Sequence, residues 1–214
     1  MSKKTREKTG KSRIAGKAGS AIGAKRPATK PTSARSGAVA KEPKPPAKAS
    51  TPAKNTVSRS RVLVEGDTLP PFVLPRDGGQ TISLAEFAGR KLVIFFYPRA
   101  DTPGCTLEAS DFSRLAPAFS AGGTALLGVS ADPVKAQDKF RDKHHLTVPL
   151  ASDEDHSLLD RLGIWGEKSM YGKTFMGVLR TTVLVGADGR IARIWRNVRV
   201  PGHADEVLAA ARAL

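Results

Sequence analysis

The sequence predicts an α/β domain with a mixed central sheet flanked by helices, and three observations predict it. KLVIFFY (91–97) and TALLGVSA (124–131) are continuous apolar runs of strand length, as expected for strands covered on both faces. Helical patterns alternate with them, one over Cys105–Phe119 and one started by Pro133. TTVLVGADGRIARIWR (181–196) then reads as two strands joined around Ala-Asp-Gly, which closes the sheet with an antiparallel pair.

The elements follow in chain order. FVLPRDGGQTISL (72–84) reads as two short strands around an Asp-Gly-Gly turn, a hairpin ahead of the main sheet, and LAEFAGR (84–90) as a short helical turn. After KLVIFFY, Leu107, Phe112, Leu115 and Phe119 stand at near-helical spacing and propose an apolar helix face. PVKAQDKFRDKHH (133–145) is a helix with Pro133 in its first turn. LTVPLASD (146–153) is a short segment, a helix runs around His156–Leu162, and GHADEVLAAARAL (202–214) is the closing helix.

Residues 1–61 have another composition. They hold 17 of the 35 basic and 2 of the 20 acidic residues, so the whole net charge of +15 sits there and residues 62–214 balance at 18 of each. Lys, Arg, Ala, Pro, Ser, Thr and Gly dominate, as in AKRPATKPTSARSG, with too little apolar surface to offset the entropy of ordering. The segment reads as a disordered basic tail, with 62–214 as the folded domain. Either it binds DNA, RNA or another polyanion through phosphate neutralisation, or it is a solubilising extension. Charge without aromatic residues gives no base readout. A transit peptide suits the lack of acids but not the Lys/Pro content or the missing apolar helical face.

One cysteine, Cys105, excludes an internal disulfide and favours a reducing compartment, so a cytoplasmic location, nucleoid-associated if the tail binds DNA, is expected. No run approaches the roughly 18 apolar residues of a membrane span, and no membrane partner is expected. The cysteine sits in FFYPRADTPGCTLEASDF, at the carboxyl end of a buried strand, where α/β sheets present ligand sites. A thiol is nucleophilic as thiolate, and orphan amides at a helix N-terminus favour that charge. Pro103 costs nothing where amides are unpaired, Gly104 lets backbone wrap close to the sulfur, and Thr102 is placed to aim a hydroxyl at the sulfur or its target. The opposing reading is a small buried hydrophobe. Turn formers and polar neighbours argue against it.

YPRADTPGC contains Pro-x-x-x-Thr-x-x-Cys, and the sequence resembles the peroxiredoxins; SDED, GIWGEK, YGKTFMGVLRTT and GADGRI extend the likeness to the bacterioferritin-comigratory, PrxQ-type branch over residues 62–214. The resemblance implies a thioredoxin-like fold with an N-terminal hairpin extension and a thiol peroxidase that reduces hydrogen peroxide or organic hydroperoxides without a cofactor. It assigns Cys105 as nucleophile, Thr102 as donor, Pro98 as solvent shield, the Gly104 and Cys105 amides as further donors, and Arg180 as the active-site arginine. Glu108 either buttresses that arginine or only favours the helix start. Ser110 stands where many members of this branch carry a resolving cysteine, and no second cysteine exists. An external thiol, from thioredoxin, glutaredoxin with glutathione, or a small thiol, is therefore expected to reduce the sulfenic acid, in a monomer or weak dimer. A reading of another class is a nucleic-acid-associated peroxide sensor using the same cysteine without turnover.

Other residues suggest less. His144, His145, His156 and His203 lack metal-ligand spacing, so no metal is expected. His144 and His145 suit a helix end by charge. A Cys-His hydrolase needs His156 or His203 beside Cys105, and the sequence leaves that open. Trp165 and Trp195 read as core or pocket wall, and Asp153-Glu154-Asp155 as a solvated loop before a helix.

Overall fold

Strict alternation along one strand divides the interior in two. In β3 (Lys91–Phe96), Leu92, Ile94 and Phe96 face one core, while Val93, Phe95 and the following Tyr97 face the other. Burial on both faces explains the uninterrupted apolar run. The computed structural model describes residues 62–214, except Tyr171 and the side chain of Met170. The basic tail, and with it the polyanion reading and the 61/62 boundary, lies outside the described residues.

The hairpin β1 (Val73–Arg76) and β2 (Gln80–Ser83) turns through Asp77–Gly79, with Gly78 and Gly79 at φ +77° and +71°. A single turn, Leu84–Phe87, follows, closed by a reciprocal Ser83–Glu86 capping box. After β3 come α1 (Pro103–Ala121), β4 (Thr124–Ser130), α2 (Val134–His144), β5 (Leu150–Ser152) and α3 (Ser157–Arg161). The chain ends through β6 (Trp165–Met170), β7 (Lys173–Val178), β8 (Thr181–Val185), β9 (Ile191–Arg196) and α4 (His203–Ala213). Seven strands form one sheet in the order β2-β1-β5-β4-β3-β8-β9, with β5, β4 and β3 parallel and the others antiparallel to their neighbours. This is the mixed sheet with a leading hairpin that the sequence predicts. Among the described residues no helix is long and apolar enough to cross a membrane.

Gly128 lies where β4 crosses beneath large side chains. A Cβ there would meet Phe95 Cζ at 2.7 Å and Leu150 Cδ2 at 2.9 Å, so no larger residue fits without movement. Phe95 in turn stacks on Phe112 of α1, centroids 4.6 Å apart, which docks the nucleophile's helix on the sheet.

Three expectations need correction, and one pair of strands is new. Leu107 is 46% exposed and not on the buried face of α1, which Cys105, Glu108, Ala109, Phe112 and Phe119 form instead. The mismatch arises because the four residues chosen from the apolar pattern overlook Glu108, a buried charged residue with its own partner. Pro133 is the N-cap of α2, one residue before its first turn. Asp153 is buried, not solvated: its carboxylate accepts the amides of Leu158 and Leu159 at 3.1 and 2.7 Å and so caps α3, although burial raises its pKa. Finally, WGEKSM (165–170) and KTFMGV (173–178), for which the sequence carried no strand expectation, form the separate two-stranded sheet β6–β7.

Candidate active site

The topology brings the site together. β3 and β8 are antiparallel with Phe96 opposite Thr181, so the loop leaving β3 and the residue preceding β8 meet at one end of the sheet. That loop carries Pro98 to Thr102 and leads into α1 and Cys105, and the residue before β8 is Arg180. Cys105 is 1% exposed at the floor of a cavity of about 580 Å³, whose wall includes Pro98, Arg99, Thr102, Lys168, Met176 and Arg180.

Arg180 is the centre of the arrangement. Its Nη2 donates to Cys105 Sγ at 3.2 Å, and its Nη1 donates to Glu108 Oε2. Glu108 follows Cys105 by three residues on α1, so both groups share one helix face and one guanidinium spans them. Burial works against the charge of Arg180, but Glu108 and the sulfur outweigh it and raise its pKa. Glu108 is 1% exposed and its Oε1 has no partner among the described residues; burial, opposed by Arg180, pushes its pKa up to about 7. The guanidinium packs close over Gly104, where a Cβ would lie 3.4 Å from Arg180 Nη2. The first amide of α1 paired back along the chain is Thr106 N–H, to Thr102 C=O at 2.8 Å, so the amides of Gly104 and Cys105 belong to the orphan first turn.

Thr102 differs from expectation. It lines the cavity, but its hydroxyl donates to Arg99 C=O at 3.0 Å and not to the sulfur. A short polar side chain at an N-cap has backbone acceptors within reach, and this one takes the nearest. The two histidines of the hydrolase reading are placed elsewhere: His156 stacks on Trp165 at 3.8 Å and His203 bonds Thr182 Oγ1 at 2.8 Å. Trp165 is pocket wall, as expected. Among the described residues no three His, Cys, Asp or Glu side chains group as metal ligands.

Several supporting residues gave no recognisable pattern in the sequence. Ala100 N–H donates to Asp132 Oδ2 at 2.7 Å, Ser130 Oγ donates to the same oxygen at 2.8 Å, Gln137 Nε2 donates to Ser130 Oγ at 2.8 Å, and Tyr97 O–H donates to Gln137 Oε1 at 2.5 Å. This chain ties the loop before Cys105 to β4 and α2. Asp101, at φ +59°, reaches Lys143 Nζ and His144 Nε2, each at 2.7 Å. His144 therefore meets a carboxylate as well as a helix end. The hairpin β6–β7 adds Lys168, Phe175 and Met176 to the cavity wall. The signal available for it was alternation between glycines, weak because its outer residues are exposed.

A helix-start cysteine held by a two-pronged guanidinium, on this mixed sheet, agrees with the proteins that this chain resembles. Residues 65–194 match the AhpC/TSA family. A putative peroxiredoxin of Mycobacterium tuberculosis is 42% identical over 147 residues, 69% of this chain and 94% of that protein. The chain belongs to the peroxiredoxins. Peroxiredoxin Bcp of Xanthomonas campestris is 46% identical over 140 residues, 65% of this chain and 88% of that one. A solved X. campestris bacterioferritin comigratory protein, studied for alkyl peroxide reduction, aligns with TM-score 0.63 and 44% identity over 66% of this chain and 90% of that one. These peroxiredoxins are similar over the domain that follows the basic tail, and the PrxQ-type, thioredoxin-like reading stands.

Proposed function

We propose that this peroxiredoxin reduces hydrogen peroxide and organic hydroperoxides through a Cys105 sulfenic acid that an external thiol then reduces. The observation that carries the reading is the Arg180 guanidinium bonded at once to Cys105 Sγ and Glu108 above an open cavity. The Cys105 thiolate attacks one peroxide oxygen, an S–O bond forms as O–O breaks, and the leaving alkoxide or hydroxide takes a proton to depart as alcohol or water. Charge spreading along S···O–O falls between the guanidinium and the orphan amides of Gly104 and Cys105. Thr102 serves as donor once its hydroxyl turns from Arg99 C=O, and Pro98 shields the sulfur from bulk water. Glu108 positions the guanidinium.

With a single cysteine, and Ser110 on α1 where a resolving thiol would stand, reduction falls to thioredoxin, glutaredoxin with glutathione, or a small thiol. A cytoplasmic setting and a monomer or weak dimer accord with this chemistry. The test is steady-state peroxide consumption with a panel of reductants. Turnover is expected with at least one of them and its loss in Cys105→Ser; turnover retained in that variant sinks the mechanism, and a single stoichiometric oxidation with every reductant sinks the enzyme.

A further inference from the structure

Lys168 is a cation of the Cys105 cavity that the peroxide step leaves without a task. It lies on β6 opposite Phe175, and its stem crosses Gly177, where a Cβ would stand 3.4 Å from Lys168 Cδ. Its ammonium donates to Val178 C=O at 3.0 Å, and no carboxylate of the described residues pairs with it. Burial, then the Arg180 cation, lowers its pKa, while the sulfur opposes them. Arg99, exposed, adds a second cation to the same wall. The wall's one carboxylate, Asp132, is occupied by Ala100 N–H and Ser130 O–H. Beside these cations lie the apolar surfaces of Trp165, Phe175 and Met176, the last two 43% and 54% exposed.

We propose that Lys168 is the carboxylate-binding subsite for a small anionic thiol that reduces the Cys105 sulfenic acid, with the thiol's carbon body against Phe175 and Met176. The inference rests on the peroxidase reading and names its reductant by chemistry. Cys105 is 1% exposed and lies in the cavity wall, which favours a small thiol that fits the cavity over one fixed on a protein surface. Timing favours the thiol over the hydroperoxide. While Cys105 is a thiolate, its charge offsets the cations; once it is a neutral sulfenic acid, the cavity gains one unit of positive surplus and attracts an anion. The thiol sulfur then attacks Cys105 Sγ, an S–S bond forms, S–O breaks, and the hydroxyl leaves with the thiol proton as water. A second thiol of the same class attacks the mixed disulfide, releasing the Cys105 thiolate and a small-molecule disulfide, so two thiols supply two electrons.

The experiment uses the full chain oxidised with one equivalent of hydrogen peroxide and three thiols of similar size, 3-mercaptopropionate, 2-mercaptoethanol and cysteamine. Rate constants are corrected for thiolate fraction, and the mixed disulfide is followed by mass spectrometry. The anion is expected to react about tenfold faster than the cation, the scale of one charge-assisted contact. The ratio should collapse to about twofold in Lys168→Met and return in Lys168→Arg. A flat series in the unaltered protein, or the same ratio in Lys168→Met, overturns the subsite. A second arm compares tert-butyl hydroperoxide with an alkyl hydroperoxide bearing a carboxylate; Lys168-dependent preference there alone overturns the assignment to the thiol. Absence of a dimedone adduct on Cys105 marks a different failure, that of the peroxidase reading, and the inference falls with it.

Discussion

Arg180→Lys isolates what the planar fork contributes, because it keeps the charge and removes the geometry. At 3.2 Å from Cys105 Sγ, a unit charge in surroundings of effective dielectric near 20 interacts with a sulfur anion by about 5 kcal/mol. Burial of both groups and the competing Glu108 carboxylate reduce this to the scale of a charge-assisted hydrogen bond, about 1.5–3 kcal/mol. An ammonium on a flexible stem cannot hold Glu108 and the sulfur in the two directions a guanidinium spans, so it satisfies one at the expense of the other. A loss of about 2 kcal/mol in the transition state corresponds to a roughly 30-fold slower oxidation. Stopped-flow fluorescence follows the step directly, since Trp165 lines the same cavity as Cys105. Arg180→Met, which removes the charge too, should be slower still. An Arg180→Lys rate constant within about twofold of the unaltered enzyme would falsify the assignment of Arg180 to the peroxide step.

Three further perturbations test the supports of this site. The Glu108 pKa of about 7 lies above its ordinary 4.5, so the native state holds a proton that the unfolded chain has released. Stability from this group is then full below the ordinary value and declines as pH rises to about 7, by at most about 3 kcal/mol. Glu108→Gln should flatten that decline in urea titrations at pH 5 and pH 8, and parallel slopes for both proteins would refute the buried, half-partnered carboxylate. Asp101 combines φ +59° with its two ion pairs, so Asp101→Ala should lower the melting temperature more than Asp101→Gly, and the reverse order would show that the backbone is not strained there. Gly128→Ala should cost about 1–3 kcal/mol by overpacking Phe95 and Leu150, and an unchanged denaturation midpoint would contradict the close approach.

The main sheet was legible because its central strands are buried on both faces, which leaves apolar runs such as KLVIFFY with no competing pattern. Cys105, Gly104 and Pro103 were legible for a related reason: a turn that opens a helix beneath a reactive atom restricts residue type at each position. Arg180 was reached through likeness to a family and not from local pattern, because its role comes from contact with Cys105, 75 residues away in sequence. Asp132, Gln137 and Asp101 stayed hidden for the same reason. Each is an ordinary polar residue whose partner is distant in sequence, as with Asp101 and His144, which lie 43 residues apart. Thr102 shows the opposite limit. Its position was legible, but which of two nearby acceptors takes one hydroxyl proton is decided by the backbone path of Arg99.

The direction of β8 explains why the site can exist. Along β5, β4 and β3 the strands run parallel, so their carboxyl ends share one edge of the sheet, and the loop bearing Cys105 leaves from that edge. A parallel strand beside β3 would bring its own carboxyl end there and place the preceding residue at the opposite edge, a full strand length away. Because β8 is antiparallel, the residue that starts it, Arg180, arrives where β3 ends, with Thr181 opposite Phe96. The same reversal sets the β6–β7 hairpin, which leads directly into β8, over the cavity mouth, where Leu179 N–H donates to Ile164 C=O at 2.8 Å and closes its base. One antiparallel pairing thus delivers both the guanidinium that holds the sulfur and the hairpin that carries Lys168. A register slip of one residue between β3 and β8 would turn every β8 side chain to the other face of the sheet and leave Cys105 without its cation.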